Sequence, residues 1–543
     1  MESKEFNPLA EVYPQGAEEE VSPELNGKVW NVLQSYFRDR GLCFNKIESY
    51  DLFLEEAKSI IMNIPPITVE DRKSQNVYQY TFSNTSIIPP VIIPHEARLR
   101  NMTYNVTLVA DIVQGLTTVM KTHSQQIFHN RTICEIPLML RSRFCHTFQK
   151  TEDEMIMLKE CTEDIGGYYI INGKEKCIVP QERIEYNRIY VWPPKKASEK
   201  KNYKLMAEIR SVIVRGTKPA IIKILIGELN SVCILSGLNT EIPIGTIIHA
   251  MGWVSGMWRI DEDTTERISA MIIGHESDSE VEAIVGKLMK RSQRSPAAIE
   301  TIATASIVKV SEHSEAFVKQ LFTHEMLLHI PLKNKPGFLA YMVRRLIDVY
   351  LNRKKEDDRD HFANKRCDID GKLLEDLFRG YLIKYLLDVT EKISSHPGNV
   401  SVFGNNTITQ GIFHCMSQGN WGIQKVGFQK VGVSQPMARL NLLAMLSHLR
   451  KLSSNRSVES RSVRIRQLHS SQWGICDPAE TPEGKTSGIL KNFSLAGHIT
   501  TEVSDAPVKD LIGRIDDKRI FTSDTNLIDP KVFINGSWIG VTS

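Results

Sequence analysis

The chain has 543 residues, 41% of them hydrophobic and 24% charged, with a formal net charge of +3. That length and balance fit a soluble protein of several cores, two to four domains by length, and exclude a disordered or low-complexity chain. No apolar run approaches eighteen residues, and Met1-Glu-Ser-Lys-Glu5 is not a basic stretch leading into an apolar one, which argues against a membrane span or a secretory signal.

In chain order, residues 1–25 are acidic and rich in Pro and Gly, the composition of a loose arm. Amphipathic spacing predicts helices over Leu25–Phe37 and Tyr50–Ile61. β-Branched runs follow, among them Ser86-Ile-Ile-Pro-Pro-Val-Ile-Ile93 and Tyr168-Tyr-Ile-Ile171. Asn172-Gly173 then signals a hairpin, because both residues tolerate the positive φ of a tight primed turn. Pro193-Pro-Lys-Lys-Ala-Ser-Glu-Lys-Lys201 reads as a basic loop. Strand-like Ala220–Leu229 opens a region of helical pattern through Leu351, closed by the polar run Arg353-Lys-Lys-Glu-Asp-Asp-Arg-Asp360. A helix over about Leu373–Ile393 and a Gly-rich stretch from Gly398 to Gly432 come next. Pro436 suits a first helical position, and the broad apolar face from Met437 to Leu452 predicts a buried helix. Ser453–Ser460 ends it as an exposed loop. The nine cysteines are dispersed with no C-x-x-C pair, which points to reduced thiols in an intracellular compartment and away from a zinc finger.

Charge is distributed unevenly. From Lys392 to Cys476 ten basic residues accompany one acid, Glu459. Such a field suits a polyphosphate backbone, where Lys and Arg displace condensed counterions, and the stretch offers no carboxylates of its own to repel an anion. It keeps Gly, Trp, Leu and Met, so it reads as a folded surface rather than a basic tail. Within it, Arg450–Arg466 in isolation fits a solvated loop equally well. Gly419, Gly422, Gly427 and Gly432 allow close backbone approach to a ligand, and Gln435, Gln467 and His469 add neutral donors for phosphate, sugar or base edges.

Other motifs favour plainer readings. His324-Glu325-Met-Leu-Leu-His329 resembles a zinc-binding helix, but its histidines are five apart, about 140° around the helix, so they read as core or capping residues. Asp357, Asp358, Asp360 and His361 could chelate a hard cation. Six interleaved basic residues, Arg353 to Arg366, favour a salt-bridge network instead. No phosphate-binding glycine loop of either common type is present. Asp477-Pro-Ala-Glu-Thr-Pro-Glu-Gly484 has no nucleophile–base arrangement, and its prolines and glycine fix a rigid turn in which Glu480 and Glu483 can lock neighbouring donors.

Taken together, the motifs resemble the second-largest subunit of multisubunit DNA-directed RNA polymerases of the archaeal and eukaryotic type. The blocks that carry the resemblance, in the family's order, are Glu96–Tyr104, Ile136–Ser142, Gly166–Lys176 with Gln181–Arg183, Ala207–Ser211, Asp357–Phe362, Gly419–Gly422, Gly432–Gln435, Leu446–Arg450, Arg466–His469 and Pro478–Gly484. The resemblance implies an α+β multidomain fold: a protrusion over 1–212 resumed at 367–420, a lobe over 213–366, a fork with two loops over 421–500, and the start of an external domain over 501–543. The chain ends where family members run on, so it resembles the N-terminal piece of a split subunit, of the kind found in archaeal lineages and some large DNA viruses, or a truncated form.

The implied reaction is template-directed phosphoryl transfer to an RNA 3′ end with Mg2+ at the assembled active centre. The resemblance places the catalytic aspartates in the largest subunit, leaving this chain inactive alone and without zinc. Its implied partners are that largest subunit, a separate chain carrying the C-terminal half, other polymerase subunits, the DNA template and nascent RNA, with no membrane. Carried over residue by residue, Arg466, Gln467 and Glu480 support the active centre. Lys425, Lys430, Gln435, Arg439, Arg461 and Arg464 contact the nucleic-acid backbone. Asp357–His361 matches a junction between lobe and protrusion. The implied location is intracellular, in cytoplasm or nucleus, or in a virion for a viral source. Two alternatives are a non-catalytic nucleic-acid-binding scaffold of the same fold and a stand-alone nuclease or polymerase using Asp357, Asp358 and Asp360.

Overall fold

The computed structural model describes residues 23–542 apart from 72–74, 118–122, 195–202, 214–218, 228–230, 236–240, 255–263, 274–277, 291–301, 303–313, 423–429, 455–462, 502, 515–519 and 522–530. Helices and sheets are interspersed along it, giving the α+β fold.

The first core forms around the helix Phe44–Met62, which buries Tyr50, Phe53, Leu54, Ala57 and Ile61 at helical spacing. Beside it lies an antiparallel meander of Ile67–Glu70, Val77–Ile88, Asn105–Thr117 and His123–Pro137, in that order. Alternation supplies its inner face, with Val106, Leu108, Ala110 and Ile112 all buried. The long helix Asp370–Ser395 and the helix Thr407–Gln418 return from much later in the chain to complete this core. Phe378 meets Phe53 edge-on with ring centroids 6.2 Å apart. The Asn172-Gly173 hairpin is present: the two residues have φ of 49° and 72° and join Tyr169–Ile171 to Lys174–Ile178.

A second core occupies the intervening segment. Its sheet runs Tyr190–Trp192, Tyr203–Ser211, Ala220–Gly227, Ser231–Leu235 and Ile242–Pro243 as antiparallel neighbours. Helices that include Ile244–Val254, Thr264–Ile273 and Lys335–Tyr350 contribute to its apolar cluster. Tyr203–Ser211 pairs with Ala220–Gly227 along nearly its whole length, so this sheet takes in residues on both sides of position 213. The terminal hairpin Lys531–Ile534/Ser537–Thr542 joins the same core through buried Trp538 and Val541, and Phe533 lies 5.9 Å from Phe338.

Two expectations are corrected. Ser434–Pro436 is a strand paired with Lys176–Ile178, and the following helix starts only at Leu442, where the Asn441 side chain accepts the Ala444 N–H at 2.7 Å. Leu440, Leu442 and Leu443 are consequently exposed rather than buried. Lys451–Ser454 is a strand, not a loop, while 455–460 lies outside the described residues, as does most of the 193–201 loop. In the His324/His329 pair, His324 is exposed. His329 is buried, with Nδ1 2.7 Å from Ser211 Oγ, and desolvation followed by Lys335 pushes its pKa down to about 4. No described helix is long and apolar enough to cross a membrane.

Candidate nucleic-acid interface

A four-stranded sheet builds the region that the motifs single out. Lys365–Asp368, Gln181–Ile184, Lys451–Ser454 and Leu490–Asn492 lie side by side, with one parallel pairing between Gln181–Ile184 and Lys451–Ser454. Glu182 receives Lys365 Nζ at 2.7 Å and Lys491 Nζ at 3.0 Å. Burial would raise the Glu182 pKa, yet the two ammonium groups outweigh it and hold the carboxyl below its ordinary value. Both ammoniums also sit 4.9 Å from the Phe362 ring centroid. Arg183 donates to Asp368 at 2.7 Å on the adjoining strand.

The acidic run is divided among separate partners. Arg345 Nη2 donates to both Asp357 oxygens, at 3.0 and 3.1 Å, and Asp357 also accepts the Val191 N–H at 2.8 Å. Asp358 Oδ2 lies 2.8 Å from His469 Nε2, and the Asp360 N–H followed by His469 holds the Asp358 carboxyl below its ordinary pKa. His361 Nδ1 accepts the Ala363 N–H at 3.1 Å. Among the described residues, no three His, Cys, Asp or Glu side chains gather as a metal-ligand set. Asp357, Asp358 and His361 are thus each engaged with a different partner.

Arg466 fixes the turn that follows. Its guanidinium donates to the carbonyls of Lys485 (2.5 Å) and Ser487 (3.1 Å). Gly488 has φ +69°, and a Cβ there would lie 2.3 Å from the Arg466 carbonyl oxygen, so only glycine fits. Thr481 Oγ1 donates to Leu490 O and accepts the Gly488 N–H, both at 2.9 Å. Asp477 Oδ1 accepts the Ala479 and Glu480 N–H groups at 2.8 and 3.2 Å, and Ser447 Oγ donates to Glu480 at 2.5 Å. Gln467 and Glu480 are exposed on either side of this lock.

The backbone-contact candidates are less uniform. Lys425 and Arg461 lie outside the described residues, as does the side chain of Arg464. Lys430 is buried, 3.7 Å from Asp368. Gln435 donates to Gly432 O at 3.0 Å and accepts His448 Nε2 at 3.1 Å, so its amide is committed within the fold. Arg439 is bidentate on Glu175 at 2.7 and 3.0 Å and lies 4.9 Å over the Tyr168 ring. Arg450 is buried and donates to the carbonyls of Leu42, Ser494 and Leu495. Carboxylates from distant segments thus neutralise part of a stretch that is nearly free of acids in sequence. Sequence reasoning missed Glu182, Lys365 and Lys491 as one cluster, because 309 positions separate Glu182 from Lys491 and no local pattern links them.

A family model described as RNA polymerase beta subunit matches residues 41–409, and a second, described as RNA polymerase Rpb2, domain 3, matches residues 435–499. The chain is 29% identical to DNA-directed RNA polymerase II subunit 2 of Arabidopsis thaliana, over 100% of its own length and 49% of that protein. It is 30% identical to DNA-directed RNA polymerase II subunit RPB2 of Encephalitozoon cuniculi, over 95% of itself and 47% of that protein. It therefore spans about half the length of these two relatives. With DNA-directed RNA polymerase subunit Rpo2N of Methanococcus vannielii it shares 29% identity over 89% of itself and 98% of that protein. The chain belongs to the RNA polymerase beta subunit family and corresponds to the N-terminal portion of a second-largest subunit.

Proposed function

We propose that the chain works as the N-terminal part of a split second-largest subunit in a DNA-dependent RNA polymerase, facing the template and the RNA–DNA hybrid. The observation that carries this reading is the locked turn over residues 466–488, where Arg466 fixes the backbone and leaves Gln467 and Glu480 presented to solvent. Such a preorganised polar surface contributes by position and electrostatics, without a nucleophile or base of its own. Under this reading the Mg2+ ions of phosphoryl transfer sit chiefly on the largest subunit. Within this reading we place the backbone contacts on Lys425, Arg461 and Arg464, and give Lys430, Gln435 and Arg439 the internal partners described above. The chain is inactive alone, and its location is intracellular, in cytoplasm or nucleus.

Affinity purification of the chain from its native source, followed by mass spectrometry, tests the assignment. A largest-subunit homologue together with a separate chain carrying the C-terminal half is the expected result. Recovery of the chain alone or with unrelated proteins overturns it.

A further inference from the structure

We propose that Asp358, His469 and Ser471 form a positioning clasp that holds the Arg466-Gln467 segment in place for nucleotide addition and ties it to the second core. The inference deepens the reading above and rests on it.

The 357–362 segment faces two ways. Both Asp357 oxygens accept from Arg345 Nη2, on the helix Lys335–Tyr350, and the Asp357 backbone N–H donates to Val191 O at 2.8 Å. Arg359 lies 5.1 Å from the ring centroid of Trp192, on the edge strand of the second sheet. Those contacts fasten the segment to the second core. The residues between and after them face the other way. Asp358 meets His469 Nε2 at 2.8 Å, the His361 ring lies 5.6 Å from that of His469, and the Phe362 N–H donates to Ser471 Oγ at 2.9 Å.

The hydrogen bonds of His469 fix its tautomer. Nδ1 accepts the Ser471 N–H at 3.2 Å and lies 2.6 Å from Ser471 Oγ, so it carries no proton in the neutral ring. Nε2–H then donates to Asp358. Ser471 Oγ closes the arrangement by donating to Nδ1 while accepting from Phe362 N–H. Three residues upstream, Arg466 is fastened to the Lys485 and Ser487 carbonyls. Exposed Gln467 is therefore held between two fixed points, one on each side. Loss of the clasp frees one of them and lets the Arg466-Gln467 backbone wander from a geometry that phosphoryl transfer needs within fractions of an ångström.

The experiment uses the assembled polymerase purified with the variant chain, and reads kcat and KM for single-nucleotide addition on a primed template. His469→Ala and Asp358→Ala are each expected to lower kcat/KM about five- to tenfold, as for loss of one organising hydrogen bond to a charged group. The double variant should lose no more than either single one, because the two residues share one linkage. His469→Gln, whose amide nitrogen overlays Nε2, is expected to stay within about twofold of wild type, while the loss in Asp358→Ala, which leaves the His469 ring in place, is one that a purely space-filling role of His469 would not produce. Arg466→Ala in the same enzyme separates the two levels of the argument. Wild-type rates for Arg466→Ala overturn the reading of that residue and this inference with it. A slow Arg466→Ala beside wild-type His469→Ala and Asp358→Ala overturns the clasp alone, as does His469→Gln no faster than His469→Ala. Should His469→Ala fail to assemble, Ser471→Ala carries the same test: slowing of about threefold supports the clasp, and unchanged rates overturn it.

Discussion

Lys46 Nζ lies 2.8 Å from Asp370 Oδ1 with both side chains buried, joining the first helix of the core to the first residue of the long helix that returns more than three hundred positions later. Ile178 O accepts from the same ammonium at 2.6 Å, and the Tyr169 hydroxyl donates to Asp370 at 3.3 Å. Removing either partner strands a charge where water cannot reach it. Asp370→Ala is expected to destabilise the chain by about 3–5 kcal/mol, and Lys46→Met with Asp370→Leu together by less than either single change. Urea denaturation of Asp370→Ala, the two single changes and the double variant checks this.

Gly488 makes a narrower prediction. Because its φ is positive and the Arg466 carbonyl fills the space a Cβ would occupy, Gly488→Ala must push the two strands of the turn apart. The expected cost is about 1–3 kcal/mol. Faster proteolysis within 477–488 than in wild type is the readout; identical cleavage rates would sink the argument.

His448 sets a pH window. Its Nδ1 accepts the Ala438 N–H at 3.1 Å and its Nε2 faces Gln435, so the folded state favours the neutral ring. Desolvation, followed by Lys451 and Lys46, pushes its pKa from 6.5 down to about 4. As pH falls, the unfolded chain takes the proton first, so the stability present above pH 6.5 is lost progressively between 6.5 and about 4. Denaturation midpoints measured across this range should fall less steeply for His448→Asn than for wild type.

Arg439 separates structure from recognition. Its bidentate pairing with Glu175 predicts that Arg439→Ala lowers the melting temperature of the chain. A direct phosphate contact would instead change the slope of log affinity against log salt by about one. Template-binding titrations of the assembled enzyme at several salt concentrations are expected to leave that slope unchanged.

What the sequence made legible follows the range of the interactions. The helix expected over Tyr50–Ile61 and the Asn172-Gly173 turn obey local rules of spacing and φ; both are present, the helix extending over Phe44–Met62. The stretch after Pro436 misled because Pro suits a strand end as readily as a first helical turn, and pairing with Lys176–Ile178 decided between them. Charge was the least legible property. The run from Lys392 to Cys476 looked unopposed, but Asp368 reaches Lys430 and Glu175 reaches Arg439 from other parts of the chain. Arg466 stood out from the residues only as part of a basic segment and Glu480 only as a carboxylate able to lock donors in a rigid turn; their link to an active centre came through family resemblance alone.

The small sheet around Gln181–Ile184 also has a history in time. That strand is interior, yet its neighbours are Lys365–Asp368 and Lys451–Ser454, and the ion pair to Lys491 closes across 309 positions. At synthesis rates of about 5–20 residues per second, the ribosome needs roughly 15–60 s after Glu182 emerges to deliver that lysine. Until Lys365–Asp368 arrives, after roughly 9–37 s at those rates, the strand has two unpaired edges and Glu182 lacks both counter-charges; Lys491 completes the set last. Such edges are templates for wrong pairing, and the low contact density of local partners makes the sheet slow to form. The nascent chain therefore passes through a long window in which a chaperone, or the early collapse of the first meander, has to keep this strand available for partners not yet made.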